Sequence, residues 1–145
     1  MKKIVNTISH RSECAVSLAL DAVGDKWSLL ILRDLMFSDK RSYGELQTSE
    51  EGIATNILAS RLVALEANGL IRKETDPADT RRSLYFLTEK GIYLVPVVVE
   101  LMQWMSRFNP EASACTEHAK AYKKDRVAMY TTVIAELKRK HGGGR

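Results

Sequence analysis

Between residues 52 and 87 the chain changes its period once, and that change limits the folds open to it. From 54 to 68 the apolar residues Ile57, Leu58, Leu62 and Leu65, with Ile53 just ahead, recur three and four apart, the spacing of one helix face. Thr55, Asn56, Ala59, Ser60 and Val63 fall mainly on other faces, with Arg61 at their edge. Gly69 stands where a helix needs a left-handed residue to stop. Residues 70–75 and 83–87 then read as two strands. Asp76-Pro77-Ala78-Asp79-Thr80-Arg81-Arg82 between them is a turn too long for a two-residue hairpin. A helix with a small, polar outer face that passes directly into an arginine-tipped hairpin suits a module that lays the helix in a DNA groove and flanks it with a loop.

The rest of the chain reads as support. Residues 1–13 are a polar arm, and from Cys14 the apolar positions Val16, Leu20, Val23, Trp27, Leu30 and Leu35 take up a helical spacing. Gly24-Asp25 interrupts it, with Asp25 placed to cap a second piece. Ser42 and Glu45 have the spacing of a capping box for a short helix. Thr88 caps a helix expected to run to about Phe108, stopped by Asn109-Pro110 and kinked or locally unpaired at Pro96. Leu94, Val97, Val98, Leu101, Met102, Trp104, Met105 and Phe108 cover too much of that helix for one packing face, so a partner chain is the natural cover. Residues 112–141 favour helix, with Tyr122, Val127, Tyr130, Ile134 and Leu137 as a stripe, and Gly142-Gly143-Gly144-Arg145 is expected to be disordered. The division expected is an arm over 1–13, one domain over 14–109, and a helical extension over 110–145.

Charge narrows the reading by its placement. The chain of 145 residues carries a net charge of +4, but residues 116–145 hold 8 Lys/Arg against 3 Asp/Glu, while residues 1–115 hold 14 against 15. The basic excess therefore sits in the tail, and the DNA reading must rest on local geometry. The most apolar stretch, 93–102, is broken by Pro96 and Glu100, which argues against a membrane span. No apolar leader follows the Met-Lys-Lys start, and two cysteines suit a reducing, cytoplasmic setting. His10, His118 and His141 are scattered and show no zinc-binding spacing with the cysteines. With no nucleophile elbow and no phosphate loop, no enzyme, metal or cofactor is expected.

Helix, short helix, helix, two-stranded hairpin, helix is the order of a winged helix-turn-helix, mainly α with one small β-hairpin. Thr55, Asn56 and Ser60 suit base edges or phosphates, Arg61 a guanine or phosphate, and Arg81 and Arg82 an adjacent minor groove. The stretch from Cys14 through Gly24-Asp25-Lys26-Trp27 to Leu35 resembles the opening signature of HxlR-type transcriptional regulators, relatives of the MarR group. Tyr43-Gly44-Glu45-Leu46, Gly52-Ile53, Arg61-Leu62 with Leu65-Glu66 and Gly69-Leu70-Ile71, Leu87-Thr88-Glu89-Lys90-Gly91, and Leu94 with Pro96 carry the likeness to about Phe108. The resemblance implies a homodimer on a two-fold-symmetric operator with one recognition helix per half-site. It adds Lys40, Arg41 and Ser42, just before the short helix, to the residues carried over toward DNA. Ala54 departs from the Ser or Thr many members have at the recognition-helix cap, with Thr55 able to take that role one residue later.

Other readings stay open. Trp27 is a core or dimer-interface anchor, with Leu101, Trp104, Met105 and Phe108 as its companions at the interface, or else a ligand platform. Lys26 is solvated, ion-paired or set against a phosphate, and Lys138-Arg139-Lys140 ends the tail as a solvated helix end or a further DNA contact. Cys14 matches a cysteine position that some members of the family use as a redox switch. A helix N-terminus and nearby Arg11 would lower its thiol pKa, with Cys115 a partner only if the tail folds back. A small-molecule effector under the long helices is a further expectation, and a protein-interaction module without operator binding is the alternative function.

Overall fold

The computed structural model describes residues 10–112 and 116–143, so most of the arm over 1–13, Cys115, Gly144 and Arg145 lie outside the described residues. Ten elements follow in order: α1 (Ala15–Val23), α2 (Ser28–Phe37), α3 (Tyr43–Gln47), α4 (Thr55–Ala67), β1 (Ile71–Thr75), β2 (Ser83–Leu87), α5 (Glu89–Ile92), α6 (Val95–Phe108), α7 (Thr116–Lys124) and α8 (Arg126–His141). The strands pair antiparallel, with Ile71 opposite Leu87 and Thr75 opposite Ser83. Leu32, Leu35, Leu46, Leu58, Leu65, Ile71, Leu87, Val95 and Val99 form the centre of one core shared by α2, α3, α4, the hairpin and α6. This is a winged helix-turn-helix, with α4 as its third helix and the β1–β2 hairpin as its wing.

Local chemistry explains most of the boundaries. At the α1–α2 break the Asp25 carboxylate accepts from the amides of Trp27 (3.0 Å) and Ser28 (2.9 Å), orphan donors of the new helix. Ser42 accepts from the Glu45 amide while Glu45 accepts from the Ser42 amide, completing the expected capping box. Gly69 has φ +71°, the left-handed residue after α4. Gly91 is required for a different reason: a Cβ there would lie 2.1 Å from the Leu70 carbonyl oxygen, so only glycine lets α5 settle on the start of the wing.

The expected long helix over 88–108 is two helices. Thr88 caps α5 by accepting from the Gly91 amide, but that helix lasts one turn, and Pro96 falls in the first turn of α6. Proline is tolerated there because its missing N–H would have had no intrahelical partner. The tail also differs. Its buried positions are Met129, Val133, Leu137 and His141, a strict four-residue repeat on α8, while Val127 is exposed. Lys138 bonds Glu89 and the Tyr93 hydroxyl, and Lys140 bonds Asp39 and Glu136, so both ends of the basic run are tied to the protein.

His141, near the end of the tail, is fully buried. Its Nδ1 accepts from the Leu87 amide at 2.9 Å, which places the proton of the neutral ring on Nε2. Burial, then the cations of Arg41 and Arg72, push its pKa from 6.5 down to about 4, against smaller opposing pulls from the Leu35 carbonyl and Asp39. Glu89 and Lys138 line a cavity of about 150 Å³ beside the ring, together with Arg72. Unfolded chains take up a proton near pH 6.5 that the folded ring refuses until about pH 4. The unfolded state therefore binds more protons in that window, and stability falls as pH drops through it, by at most about 3 kcal/mol. Urea unfolding between pH 7 and pH 4 should show this loss in the wild type and a shallower one in His141→Asn; equal slopes would assign it to other groups.

Candidate nucleic-acid interface

The α4 helix is set by a buried side and presented by what surrounds it. Leu58, Leu62 and Leu65 are buried, while Thr55, Asn56, Ala59, Ser60 and Val63 are all exposed. Ala54 occupies the cap position without a side-chain bond, so the first-turn amides of α4 are not taken by a capping side chain, and Thr55 does not replace it. The Tyr43 hydroxyl of α3 donates to the Thr55 carbonyl at 2.7 Å, fixing the entry of α4 against the short helix. Val63 is 69% exposed in the middle of this face. Its spacing places it off the apolar stripe, and the structure displays it among small and polar side chains.

Charged residues near this face mostly hold the frame. Arg61 pairs with Asp25 at 3.6 Å and donates to the Ser60 hydroxyl at 3.2 Å. Partial burial pushes the Asp25 carboxyl up, but the donors of Ser28 and Trp27, with Arg61 nearby, hold it below its ordinary value. Asp25 therefore caps α2 and anchors α4 at once. Lys40 donates to the buried Asp34 (3.1 Å) and to Ser49 (3.0 Å), and Ser49 also bonds Asp34, so the turn before α4 is pinned to α2. Arg33 joins the same carboxylate and Glu51, whose carboxyl it holds down at about 2. Arg41 is half-buried and donates to the carbonyls of Leu35 and Lys40. Ser42 is buried, and its hydroxyl serves the capping box. Among Lys40, Arg41 and Ser42 the structure thus gives each side chain an internal partner, a use of polar residues that sequence spacing does not separate from display.

The wing tip is built differently. Asp76 is buried and accepts from the Ala78 amide (2.9 Å) and from Arg82 (2.7 Å), which closes the turn from below. Arg82 is half spent on that carboxylate, its side chain 54% exposed. Arg81 pairs only locally with Asp79, and its side chain is 90% exposed. Of the two arginines, Arg81 is the one free to reach outward.

The expected dimer residues divide in the same way. Leu101, Trp104, Met105 and Phe108 are exposed on α6, Trp104 by 60% and Phe108 by 71%, and their neighbours Tyr93 and Val97 extend the strip. Trp104 and Phe108 touch edge to face. Trp27 is half-buried against the core with the Lys26 ammonium 5.1 Å above its ring.

A family model described as HxlR-like helix-turn-helix matches residues 22–113. The chain belongs to this family. An HTH-type transcriptional regulator of Mycobacterium bovis is 38% identical over 125 residues, covering 79% of this chain and 78% of that one. The HTH-type transcriptional regulator YodB of Bacillus subtilis is 34% identical over 113 residues, covering 77% and 96%. The reduced form of YodB superposes with a TM-score of 0.55 at 30% identity, over 71% of this chain and all of that one. The redox regulator HypR in its oxidized form superposes at 0.58 and 27%, over 65% and 96%. Relatives of this HxlR-type chain are thus transcriptional regulators with a helix-turn-helix domain, and α7 and α8 lie beyond the span the family model matches.

Two further features of this HxlR-type protein lie outside the α4 face. Cys14 precedes α1 and is exposed, with its thiol held below the usual range by the amides of Ser17 and then Val16. An open groove of about 420 Å³ runs between α8 and Tyr93, lined by Val127, Tyr130 and Ile134 among others. Among the described residues no cluster of three His, Cys, Asp or Glu is placed to hold a metal ion, and no helix is long and apolar enough to cross a membrane.

Proposed function

We propose that this protein is a sequence-specific DNA-binding transcriptional regulator that acts as a homodimer on a two-fold-symmetric operator. The observation that carries the proposal is the exposed face of α4, with small and polar side chains around an uncapped start, beside a wing whose tip holds a freely exposed arginine. In this reading Asn56 makes a paired bond to an adenine edge and the Val63 methyls meet a thymine methyl. Thr55 and Ser60 bond base edges or phosphates, and Ala59 permits close approach. The first-turn amides of α4 face a phosphate, where the helix dipole favours negative charge. Arg81 enters the adjoining minor groove or pairs with its backbone, and Arg82 and Arg61 hold the presenting frame.

The exposed strip on α6, from Val97 to Phe108, with Tyr93 just ahead of it, supports the second protomer. Val16 and Leu20 of α1 are exposed as well. Large apolar side chains displayed together mark an interaction surface, and a second copy would cover them by two-fold symmetry.

A redox response is a second reading, favoured by one observation. The exposed Cys14 thiol sits at the start of α1 with its pKa lowered, and the structural neighbour HypR is a redox regulator.

Each part has its measurement. Oligonucleotide selection with the purified protein should return a two-fold-symmetric site. On that site Asn56→Ala should cost about 1–3 kcal/mol with loss of preference at one base pair per half-site. Arg81→Ala should flatten the dependence of log affinity on log salt by about 1 per half-site. A protein with no operator, or with salt-insensitive function, would instead act as an interaction module. Sedimentation should find a dimer in the wild type and a monomer in Trp104→Glu, whose change lies on the surface; a wild-type monomer would remove the dimer. Mass spectrometry after mild peroxide treatment should find a sulfenate or disulfide at Cys14, and its absence would end the redox reading.

A further inference from the structure

Among the described residues no third strand covers the outer edge of β2, yet two of its outward amides are engaged. Tyr85 donates to the Arg41 carbonyl at 2.7 Å, next to the isolated bridge between Ser42 and Leu84. Two residues on, where the next outward amide falls, Leu87 donates to His141 Nδ1 at 2.9 Å. The imidazole at the end of α8 therefore stands in for the next residue of an edge strand. Arg72 of β1 completes the joint. Its guanidinium donates to the Leu87 carbonyl (3.1 Å) and to the His141 carbonyl, tying the hairpin to the C-terminal end of α8 where a cation is favoured. Phe86 lies between these groups, with the Arg72 guanidinium 4.9 Å and the His141 ring 6.0 Å from its ring.

The other end of α8 is fastened elsewhere. Tyr130 donates to Glu100 of α6 at 2.8 Å, Tyr122 of α7 donates to the same carboxylate at 3.1 Å, and Arg126 lies 3.6 Å away. Met129, Val133 and Leu137 bury the length between the two joints. One rigid helix thus runs from α6, which carries the exposed apolar strip, to the base of the wing.

We infer that His141 and Arg72 are positioning residues for the wing, and that α8 is a strut setting the wing's pose relative to α6. The consequence for operator affinity rests on the DNA-binding reading above; the positioning itself does not. A hairpin of two strands has little stability of its own, so its pose depends on what holds its outer edge. Fixing that pose removes an ordering cost that Arg81 would otherwise meet on reaching DNA.

The test compares His141→Phe, which keeps a ring of similar size but removes the acceptor, with His141→Asn, whose side-chain oxygen can take the place of Nδ1. Both are made in the full chain. Hydrogen exchange, which needs no DNA, should rise at Leu87 and across the 76–82 turn in His141→Phe and return toward wild type in His141→Asn. Operator binding should weaken about tenfold in His141→Phe, on the order of one well-made contact per half-site, while sedimentation still shows the wild-type assembly. Unchanged exchange in His141→Phe overturns the inference whatever DNA does. Raised exchange with undiminished operator binding overturns the link to affinity. Raised exchange in a protein whose wild type selects no DNA leaves the strut standing and removes the DNA-binding reading.

Discussion

The wing depends on an edge it cannot complete by itself. Two strands of five residues offer few hydrogen bonds, and the outward amides of β2 would be open to solvent or to another strand. The protein closes this edge with unrelated pieces: the Arg41 carbonyl before α3 and the His141 ring at the far end of the chain. Gly91 lets α5 press onto Leu70 at the other side of the hairpin's base. Three segments distant in sequence converge on ten strand residues, and the placement of the wing follows from all three.

The same economy governs charge. Asp25 and Asp34 are fixed anions of the body; Arg61, from the middle of α4, pairs with the first, and Lys40, just ahead of α3, with the second. The first pair ties α4 itself to the start of α2, and the second, through Ser49, pins the turn before it. In a domain whose first 115 residues hold slightly more acidic than basic side chains, such cations are spent on orientation. Display is left to hydroxyls, an amide, a valine and Arg81. In the DNA-binding reading proposed above, such a surface would read hydrogen-bond pattern and shape more than it attracts phosphate, since the phosphate term scales with the number of cations that reach the backbone.

Periodicity and cap spacing made the frame legible. Leu58, Leu62 and Leu65 announced α4, Gly69 its end, and Ser42 with Glu45 the short helix, and the structure has all of them. Pro96 misled because proline inside an apolar run and proline opening a new helix leave the same local pattern; the difference lies in one turn of α5 ending at Ile92. His141 was hidden for a stronger reason. A histidine next to glycines at a basic stretch gives every local sign of exposure, and the packing of α8 on α5 and α6, with its end bonded to Leu87, buries it. The expected interface roles of Lys40, Arg41 and Ser42 came from the family resemblance, and their place before a short helix serves equally for building a turn.

Pairing of Lys40, Arg61 and Arg82 within the protein gives a second copy its importance in the proposed DNA-binding reading. If one half-site engages only a few phosphates, its non-specific attraction is weak, and a single α4 with one wing has little to hold it. In the proposed dimer, joining two such units through α6 would make the second engagement intramolecular, so affinity would grow without new charge. It does so only when both readers stand at the spacing and tilt that the DNA presents, because a linkage that cannot span both sites gives no gain. Rigidity between α6 and the wing is then worth more than added basic residues. A buried histidine that fastens α8 to β2, at one end of a helix fastened to α6 at the other, supplies that rigidity at the point where the two-stranded wing lacks its own.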